Sequence, residues 1–404
     1  LPNLNLACSG LAPSATKEEW MALAGENEKA RNGIARLHSL FEEAPVLGSL
    51  INPSAQAGDM FEAEFHDIAP LLEKALVQES KSDTDHEMAV IAQGLTKAAK
   101  LLTEKFTLVA TNVPYLGRSQ QTNQLRSFSD RDYSLAKADL ATTFIQRIQS
   151  FLSVNGVSAV VSPQSLLYLG SYESFRKNLL NRVTWQMVAP LGPRAFETIT
   201  GEVVNVALFI FYSETPSKET SISVVNGEKF DTVDMKAHAL SNEPIRRFLQ
   251  YSQFENPDNR IMFEDKAEGI LLSKLSSSLT GIQNGDSSKY LRQFWEFKGI
   301  STRWAFIQSA VQQTALVGGL DSVIDYDIDE GHLRAEASWR RYDGRGGRPF
   351  WGKFGVCISR MGNLPTALYF GTPYDQGSAV IIPTQHNYLP ALWAYCESDK
   401  YNHA

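Results

Sequence analysis

Several things are missing from this sequence, and each absence narrows its reading. No stretch of 18 or more apolar residues occurs, which excludes a membrane-spanning helix. Cysteine is scarce: Cys8, Cys357 and Cys396 are widely separated and odd in number. That excludes a disulfide framework and fits a reducing, cytoplasmic compartment. The histidines (His38, His66, His86, His238, His332, His386 and His403) form no pair at ligand spacing, so no metal site is expected. Excess positive charge is absent too: 38 Lys and Arg against 45 Asp and Glu give −7, which offers no global signal of nucleic-acid binding. No internal repeat or low-complexity tract is found. The chain opens Leu1-Pro2-Asn3, with neither an initiator Met nor a signal-peptide pattern. It is expected to begin inside a larger polypeptide.

What is present is an ordinary globular composition, 43% hydrophobic and 21% charged over 404 residues, enough for two or three domains with real cores. From Phe106 to Tyr212 the pattern is α/β. Phe106-Thr-Leu-Val-Ala-Thr111 is a short apolar run ending in a turn, as a buried parallel strand requires. Asp139 to Leu152 carries Leu140, Phe144, Ile148 and Phe151 at helical spacing, with Asn155-Gly156 as a stop signal. Val157 to Val161 is a second predicted strand, and Ser171 to Asn181 a second helix with Ser171 as N-cap. Val183 to Val188 and Val203 to Tyr212 follow as two more strands. This order predicts a doubly wound sheet whose last pair is an antiparallel hairpin. Trp20 to Leu102 is largely helical by pattern. The polar stretch Ser213 to Ser221 marks a boundary, and residues 235–275 are mostly helical by pattern. From about Gly281, glycines, aromatics and arginines among short strand-like runs define a second domain.

The residues that carry chemistry follow the first predicted strand: Asn112-Val113-Pro114-Tyr115. The carboxyl end of a parallel strand is where open α/β sheets bind ligands. Methylating an exocyclic amine requires its nitrogen lone pair, delocalised into a ring, to point at an electrophilic methyl. Two acceptors can hold the two hydrogens of that amine, the Asn112 side-chain oxygen and the Val113 main-chain carbonyl. They favour the tetrahedral transition state over the planar ground state, so the binding is differential. Pro114 biases residue 113 towards an extended conformation and so aims its carbonyl. Tyr115 offers a flat face to a base pulled out of the duplex. The plainer alternative is a strand-ending turn, since turn residues cluster in such tetrapeptides.

The surroundings decide between these. The stretch Phe106-Thr-Leu-Val-Ala-Thr-Asn-Val-Pro-Tyr-Leu-Gly-Arg118 is followed by Ala136-Lys-Ala-Asp-Leu-Ala-Thr-Thr-Phe144 and Ser162-Pro-Gln-Ser165. Then come Ser171-Tyr-Glu-Ser-Phe-Arg-Lys-Asn-Leu-Leu180 and Ala195-Phe-Glu-Thr-Ile-Thr-Gly-Glu-Val-Val-Asn205. This succession resembles adenine-specific (N6) DNA methyltransferases of the type IIG restriction-modification and BREX phage-defence kind, in their carboxyl-terminal portion. Downstream, Gly281-Ile-Gln-Asn-Gly-Asp-Ser-Ser-Lys-Tyr-Leu-Arg-Gln-Phe-Trp-Glu296 is similar to the entry to their target-recognition region. Trp339-Arg-Arg-Tyr-Asp-Gly-Arg-Gly-Gly-Arg-Pro-Phe-Trp-Gly352 is similar to a segment within it.

The resemblance implies an α/β fold: the later half of a doubly wound S-adenosylmethionine-dependent methyltransferase sheet, followed by a mixed α/β target-recognition region. Residues 1–215 are expected as the later half of the methyltransferase domain, 216–275 as a mainly helical linker, and 276–404 as a partial DNA target-recognition region. Asn112, Pro114 and Tyr115 match the family's catalytic Asn-Pro-Pro-Tyr. Position 113 departs from it, Val standing where Pro is commonest, at a contact made by a main-chain carbonyl. Phe196 is the candidate second aromatic face for a flipped adenine, with core packing as the alternative. The cofactor implied is S-adenosylmethionine, with no metal. The family's Gly-rich turn, Asp-Pro-Ala-Cys-Gly-Ser-Gly, has only Ala7-Cys8-Ser9-Gly10 as a near match. Leu4 to Ser9 is therefore expected as a later strand of the cofactor half, with Cys8 and Ser9 near the cofactor's adenine end. The first strands would then lie upstream of Leu1 and the chain alone would be inactive. Asp139 is a candidate for the cofactor pocket, or simply a helix N-terminal charge.

The implied partner is double-stranded DNA, with a nuclease domain or other defence-system proteins as further associates and no membrane. From Arg334 to Arg360 seven basic residues (Arg334, Arg340, Arg341, Arg345, Arg348, Lys353 and Arg360) face two acidic ones, Glu336 and Asp343, with Trp339, Tyr342, Phe350 and Trp351 interleaved. Arginine both neutralises phosphate and bonds guanine edges, so Arg340, Arg341, Arg345, Arg348 and Lys353 are candidates for DNA contact. Arg118, beside the tetrapeptide, is a candidate for backbone contact; a solvated surface is the alternative throughout. Pro257-Asp258 with Glu264-Asp265-Lys266 has the letters of a nuclease metal site, but the spacing is short and no strand pair is evident. Two functions follow: a piece of a site-specific adenine methyltransferase, or a non-catalytic DNA-binding or regulatory module that has lost its cofactor half.

Overall fold

The computed structural model describes residues 5–13, 15–22, 24–53, 83–196, 204–263, 270–300, 303–326, 346–398 and 401. The chain divides into two compact units, Leu1–Asp265 and Lys266–Ala404.

The first unit is built on a six-stranded mixed sheet in the order β1-β2-β4-β3-β5-β6. These strands are β1 (Phe106–Asn112), β2 (Leu152–Pro163), β3 (Thr184–Gly192), β4 (Val206–Tyr212), β5 (Ser221–Val224) and β6 (Arg246–Leu249). β1 and β2 are parallel, as are β3 and β5, whereas β4 runs antiparallel to both its neighbours. The expected hairpin of the last two predicted strands is thus the antiparallel β3–β4 pair. Trp185, Phe209 and Phe211 pack edge-to-face and stacked, with centroids 5.0–5.9 Å apart, and all three are fully buried. A bulge at Trp185 frees its amide from the ladder. The buried Gln250 accepts that N–H at 2.9 Å and donates to the Leu180 and Val183 carbonyls.

Helices α1 (Lys17–Ala22), α2 (Glu28–Phe41), α3 (Asp83–Thr103), α4 (Asn123–Asp132), α5 (Leu140–Phe151), α6 (Glu173–Arg182) and α7 (Val233–Asn242) complete this unit. α5 buries Ala141, Ile145 and Ile148; of the residues read at helical spacing only Ile148 is buried, while Leu140, Phe144 and Phe151 are half-buried. It also buries Arg147, whose guanidinium rests 4.0 Å over Phe151 and donates to the carbonyls of Ser49, Ile51 and Leu102.

Four expectations are corrected. Residues 5–9 form no strand, so this part of the expected Leu4 to Ser9 strand does not extend the sheet, and residues 5–8 are exposed; Leu4 lies outside the described residues. Ser171 is not an N-cap: a 3₁₀ turn at Gly170–Tyr172 runs into α6, and Tyr172 stands at the cap without a side-chain bond. Asn155-Gly156 does not end α5 but lies within β2 as an irregularity, with Asn155 at φ 59°. A Cβ on Gly156 would stand 3.0 Å from the Phe106 carbonyl, which is why the close approach of β1 there requires glycine. Residues 216–275, expected as a mainly helical linker, contribute β5 and β6 to the sheet together with α7. Strands of four residues give too little periodicity to be read in advance.

The second unit contains two antiparallel sheets. β8 (Leu291–Gln293), β10 (Ser322–Asp325) and β9 (Trp304–Ile307) form one. The other has the order β12-β11-β13-β7: β12 (Thr366–Tyr369), β11 (Gly355–Ser359), β13 (Ser378–Pro383) and β7 (Ser276–Thr280), with α8 (Leu389–Glu397) packed on it. Gly347 sits at φ 74° against the Tyr374 ring, so no side chain fits there.

Candidate active site

The site is assembled at the carboxyl end of β1. Asn112 is in register with Val161 of β2, and the Val113 N–H donates to the Val161 carbonyl at 3.3 Å, carrying the parallel ladder one residue past the strand. Val113 is buried, whereas Asn112 and Pro114 are exposed and Tyr115 is half-buried. The Tyr115 hydroxyl donates to Asn112 Oδ1 at 3.2 Å. Burial pushes this phenol up to about 12, so it is neutral and a donor near pH 7. An amide oxygen has two lone pairs, and one on Asn112 is therefore left for a ligand.

The Val113 carbonyl has lost its ladder partner. In a parallel pair the next bond after Val113 N–H to Val161 runs from the N–H of residue 163 to the carbonyl of residue 113. Residue 163 is proline and has no N–H. Among the described residues no hydrogen bond to that carbonyl is found. Two neighbouring acceptors, one from a side chain and one from the main chain, thus stand at the end of β1.

The loop that follows is zipped to the start of α5. Leu140 N–H donates to the Leu116 carbonyl at 3.0 Å, Arg118 N–H to the Ala138 carbonyl at 3.2 Å, and Gly117 bridges Asp139. Asp139 is the N-cap of α5, its Oδ1 accepting from Ala141 N–H at 2.8 Å and Leu116 N–H at 3.4 Å. Burial raises its carboxyl above the ordinary range, opposed by those two backbone bonds and a hydrogen bond from Tyr172. The structure therefore brings Asn112, Val113, Pro114, Tyr115 and Asp139 into one corner.

Other candidates are placed differently. Arg118 pairs with Asp130 at 2.6 Å, and Lys137 meets the other oxygen of Asp130 at 3.0 Å. Phe196 is half-buried in irregular chain after β3. The base of that link is held by Gln164, which accepts from Gly192 N–H at 3.2 Å, and by the buried Lys236 ammonium on the Leu191 carbonyl. Arg340, Arg341 and Arg345 lie outside the described residues. Arg348 is half-buried in a short turn and Lys353 is exposed. Of the interleaved aromatics, Phe350 is buried in a core with Tyr369 and Tyr374, and Trp351 packs against it. Among the described residues no cluster of His, Cys, Asp and Glu suited to a metal is found.

S-adenosylmethionine asks for a Gly-rich turn at a helix N-terminus and a free acidic group. The described residues do not assemble them. Asp139 is engaged as a cap, Cys8 is exposed in irregular chain, and Ser9 Oγ bonds Ser49 Oγ at 2.9 Å. The corner offers two acceptors of the kind that an exocyclic amine needs, and its described residues do not fit the cofactor.

A parallel strand ending in Asn-x-Pro-Tyr, with two adjacent acceptors at its carboxyl end, defines an α/β protein suited to holding an exocyclic amine. Residues 75–273 match the family model described as N-6 DNA Methylase. It is 31% identical over 189 residues to the adenine-specific methyltransferase BrxX of Escherichia coli O9:H4 (strain HS), covering 47% of this chain and 15% of that protein. It is 30% identical over 137 residues to the adenine-specific methyltransferase PglX of Lacticaseibacillus casei (strain Zhang), covering 33% of this chain and 11% of that one. The chain thus spans less than a sixth of the length of either relative. Similar solved structures include the Type IIL restriction-modification enzyme MmeI in complex with DNA, at TM-score 0.45 and 14% identity, covering 73% of this chain and 43% of that one. Another is the ATP-dependent Type ISP restriction-modification enzyme LlaBIII bound to DNA, at TM-score 0.48 and 12% identity, covering 76% and 26%.

Proposed function

We propose that this chain supplies the base-holding part of a site-specific DNA adenine-N6 methyltransferase acting in restriction-modification or phage defence in the cytoplasm. A flipped adenine lies against Tyr115, with Phe196 as the second face. Its amine donates to Asn112 Oδ1 and the Val113 carbonyl, which turns the nitrogen lone pair out of the ring plane. S-adenosylmethionine is the methyl donor implied by the family. The cofactor contacts then come from residues outside this corner, and Asp139 acts as the cap that holds the loop after Asn112. Arg118, Arg340, Arg341, Arg345, Arg348 and Lys353 serve the duplex. The observation that carries the reading is the pair of acceptors left open at the end of β1. In the intact enzyme, Asn112→Ala is expected to abolish methylation of duplex DNA while leaving DNA binding in place; retained methylation overturns the assignment.

The unassembled cofactor contacts favour a second reading, a non-catalytic DNA-binding or regulatory module. Calorimetry with S-adenosylmethionine on the intact enzyme separates the two. Binding supports the methyltransferase, and no binding supports the module.

A further inference from the structure

β2 is an interior strand, flanked by β1 and β4, yet it ends in a proline. Proline is rarely found inside a sheet, because it removes a ladder bond. The direction of the missing donor follows from the neighbouring bonds. Residue 161 turns its peptide groups towards β1, since its carbonyl takes the Val113 N–H. Residue 164 turns the other way, its N–H donating to the Asn205 carbonyl of the segment entering β4 at 2.8 Å. Successive residues of a strand alternate, so residue 163 faces β1. The donor that proline deletes is the one that would close on the Val113 carbonyl.

We propose that Pro163 is a positioning residue, which keeps the Val113 carbonyl free of the sheet so that it can accept the substrate amine. This rests on the base-holding reading above and adds to it a cause for one of the two acceptors. Any other residue at 163 brings an N–H to that carbonyl. The ladder would gain a bond and the site would lose an acceptor. Fold and site then make opposite demands on one position, and the proline resolves them for the site.

The test is Pro163→Ala in the intact enzyme, beside Asn112→Ala. Pro163 has φ −54° and ψ 132°, which alanine adopts without strain. The first readout is independent of turnover. With isotope-labelled alanine amides, the new N–H at position 163 is expected to resist hydrogen exchange as a ladder amide does. The second is methylation, expected to fall by roughly tenfold or more with DNA binding unchanged, since removal of a single preorganised polar group from a site typically lowers turnover by about 10²–10³. A rapidly exchanging amide at position 163, or methylation within about twofold of the parent, overturns the role of Pro163. Full activity in Asn112→Ala instead overturns the base-holding reading, so the two failures are told apart.

Discussion

β1 and β4 are seven-residue strands of one sheet and both read as apolar runs, yet they do different things. β4 lies between β2 and β3, and Phe209 and Phe211 on it are completely buried against Trp185. Among the described residues, β1 stands at the margin of the sheet, pairs only with β2, and leaves Leu108 60% exposed. The candidate chemistry hangs from the strand that contributes less to the core. Stability and site chemistry are therefore expected to be separable, residue by residue, across a few strands of one sheet.

The largest effect belongs to the interior. Phe209→Ala removes a ring held between Trp185 and Phe211 and leaves a cavity that the flanking strands cannot close. A loss of about 3–5 kcal/mol is expected in urea unfolding of the first unit's transition. A loss under about 1 kcal/mol would mean that β4 is not the anchor. Next in size is Asn112→Ala at the end of β1. Its side chain is exposed and bonds only the Tyr115 hydroxyl in the structure, so unfolding should be unchanged within about 0.5 kcal/mol. The methylation rate should fall by about 10²–10³ or more, by analogy with removal of one preorganised polar group. A variant that loses stability and activity together would remove the distinction between the two strands.

The same contrast explains what could be read from sequence. Val157 to Val161 and Val203 to Tyr212 announce themselves because interior strands, with one face buried and the other half-buried, favour continuous apolar runs. The run before Asn112 is equally apolar, and nothing in it tells that β1 is a margin strand; that depends on which other strands the sheet includes. β5 and β6, Ser-Ile-Ser-Val and Arg-Arg-Phe-Leu, are too short and polar to register as strands. The tetrapeptide was legible as a candidate site because Asn, Pro and Tyr stand at a strand's end. The freed Val113 carbonyl was not, because it depends on Pro163, fifty residues away in sequence and adjacent only through β-pairing. Gly346-Gly347 and Phe350-Trp351 show the converse. Glycines and aromatics beside arginines suit a DNA-reading loop, but Gly347, Phe350 and Trp351 pack around Tyr374 and Gly346 lies against the Gly281 backbone.

A middle-sized effect tests how the loop after Asn112 is held. Asp139 accepts two backbone N–H bonds, one from α5 and one from the loop itself. An asparagine in its place would accept both, so Asp139→Asn should match or exceed the parent in stability at pH 7, whereas Asp139→Ala should lose about 0.5–2 kcal/mol. The pH dependence has a definite sign. Burial raises this carboxyl in the folded state above its unfolded value, so the folded protein holds the proton more tightly. Its contribution is fully present below the unfolded pKa of about 3.9 and is lost as pH rises through the raised folded value. Asp139→Asn should flatten the stability profile across that acid interval; an unchanged profile would mean that other carboxyls set it.

The smallest effect is the most informative about β1. Leu108 is largely exposed, so Leu108→Ala should change the unfolding free energy of this chain by no more than about 0.5 kcal/mol. Among the described residues, the side of β1 away from β2 has no strand partner, and an open edge of this kind is a template for further pairing. A strand docked there would cover part of Leu108 and raise the effect of the same substitution. The comparison is thus between one substitution in this chain alone and in the intact enzyme, both followed by urea unfolding. A near-zero change in the first with a loss above about 1 kcal/mol in the second would show that β1 is an interior strand in the working enzyme. Equal, small changes in both would leave the acceptors of Asn112 and Val113 at a true sheet margin, open to substrate from the side as well as from the end.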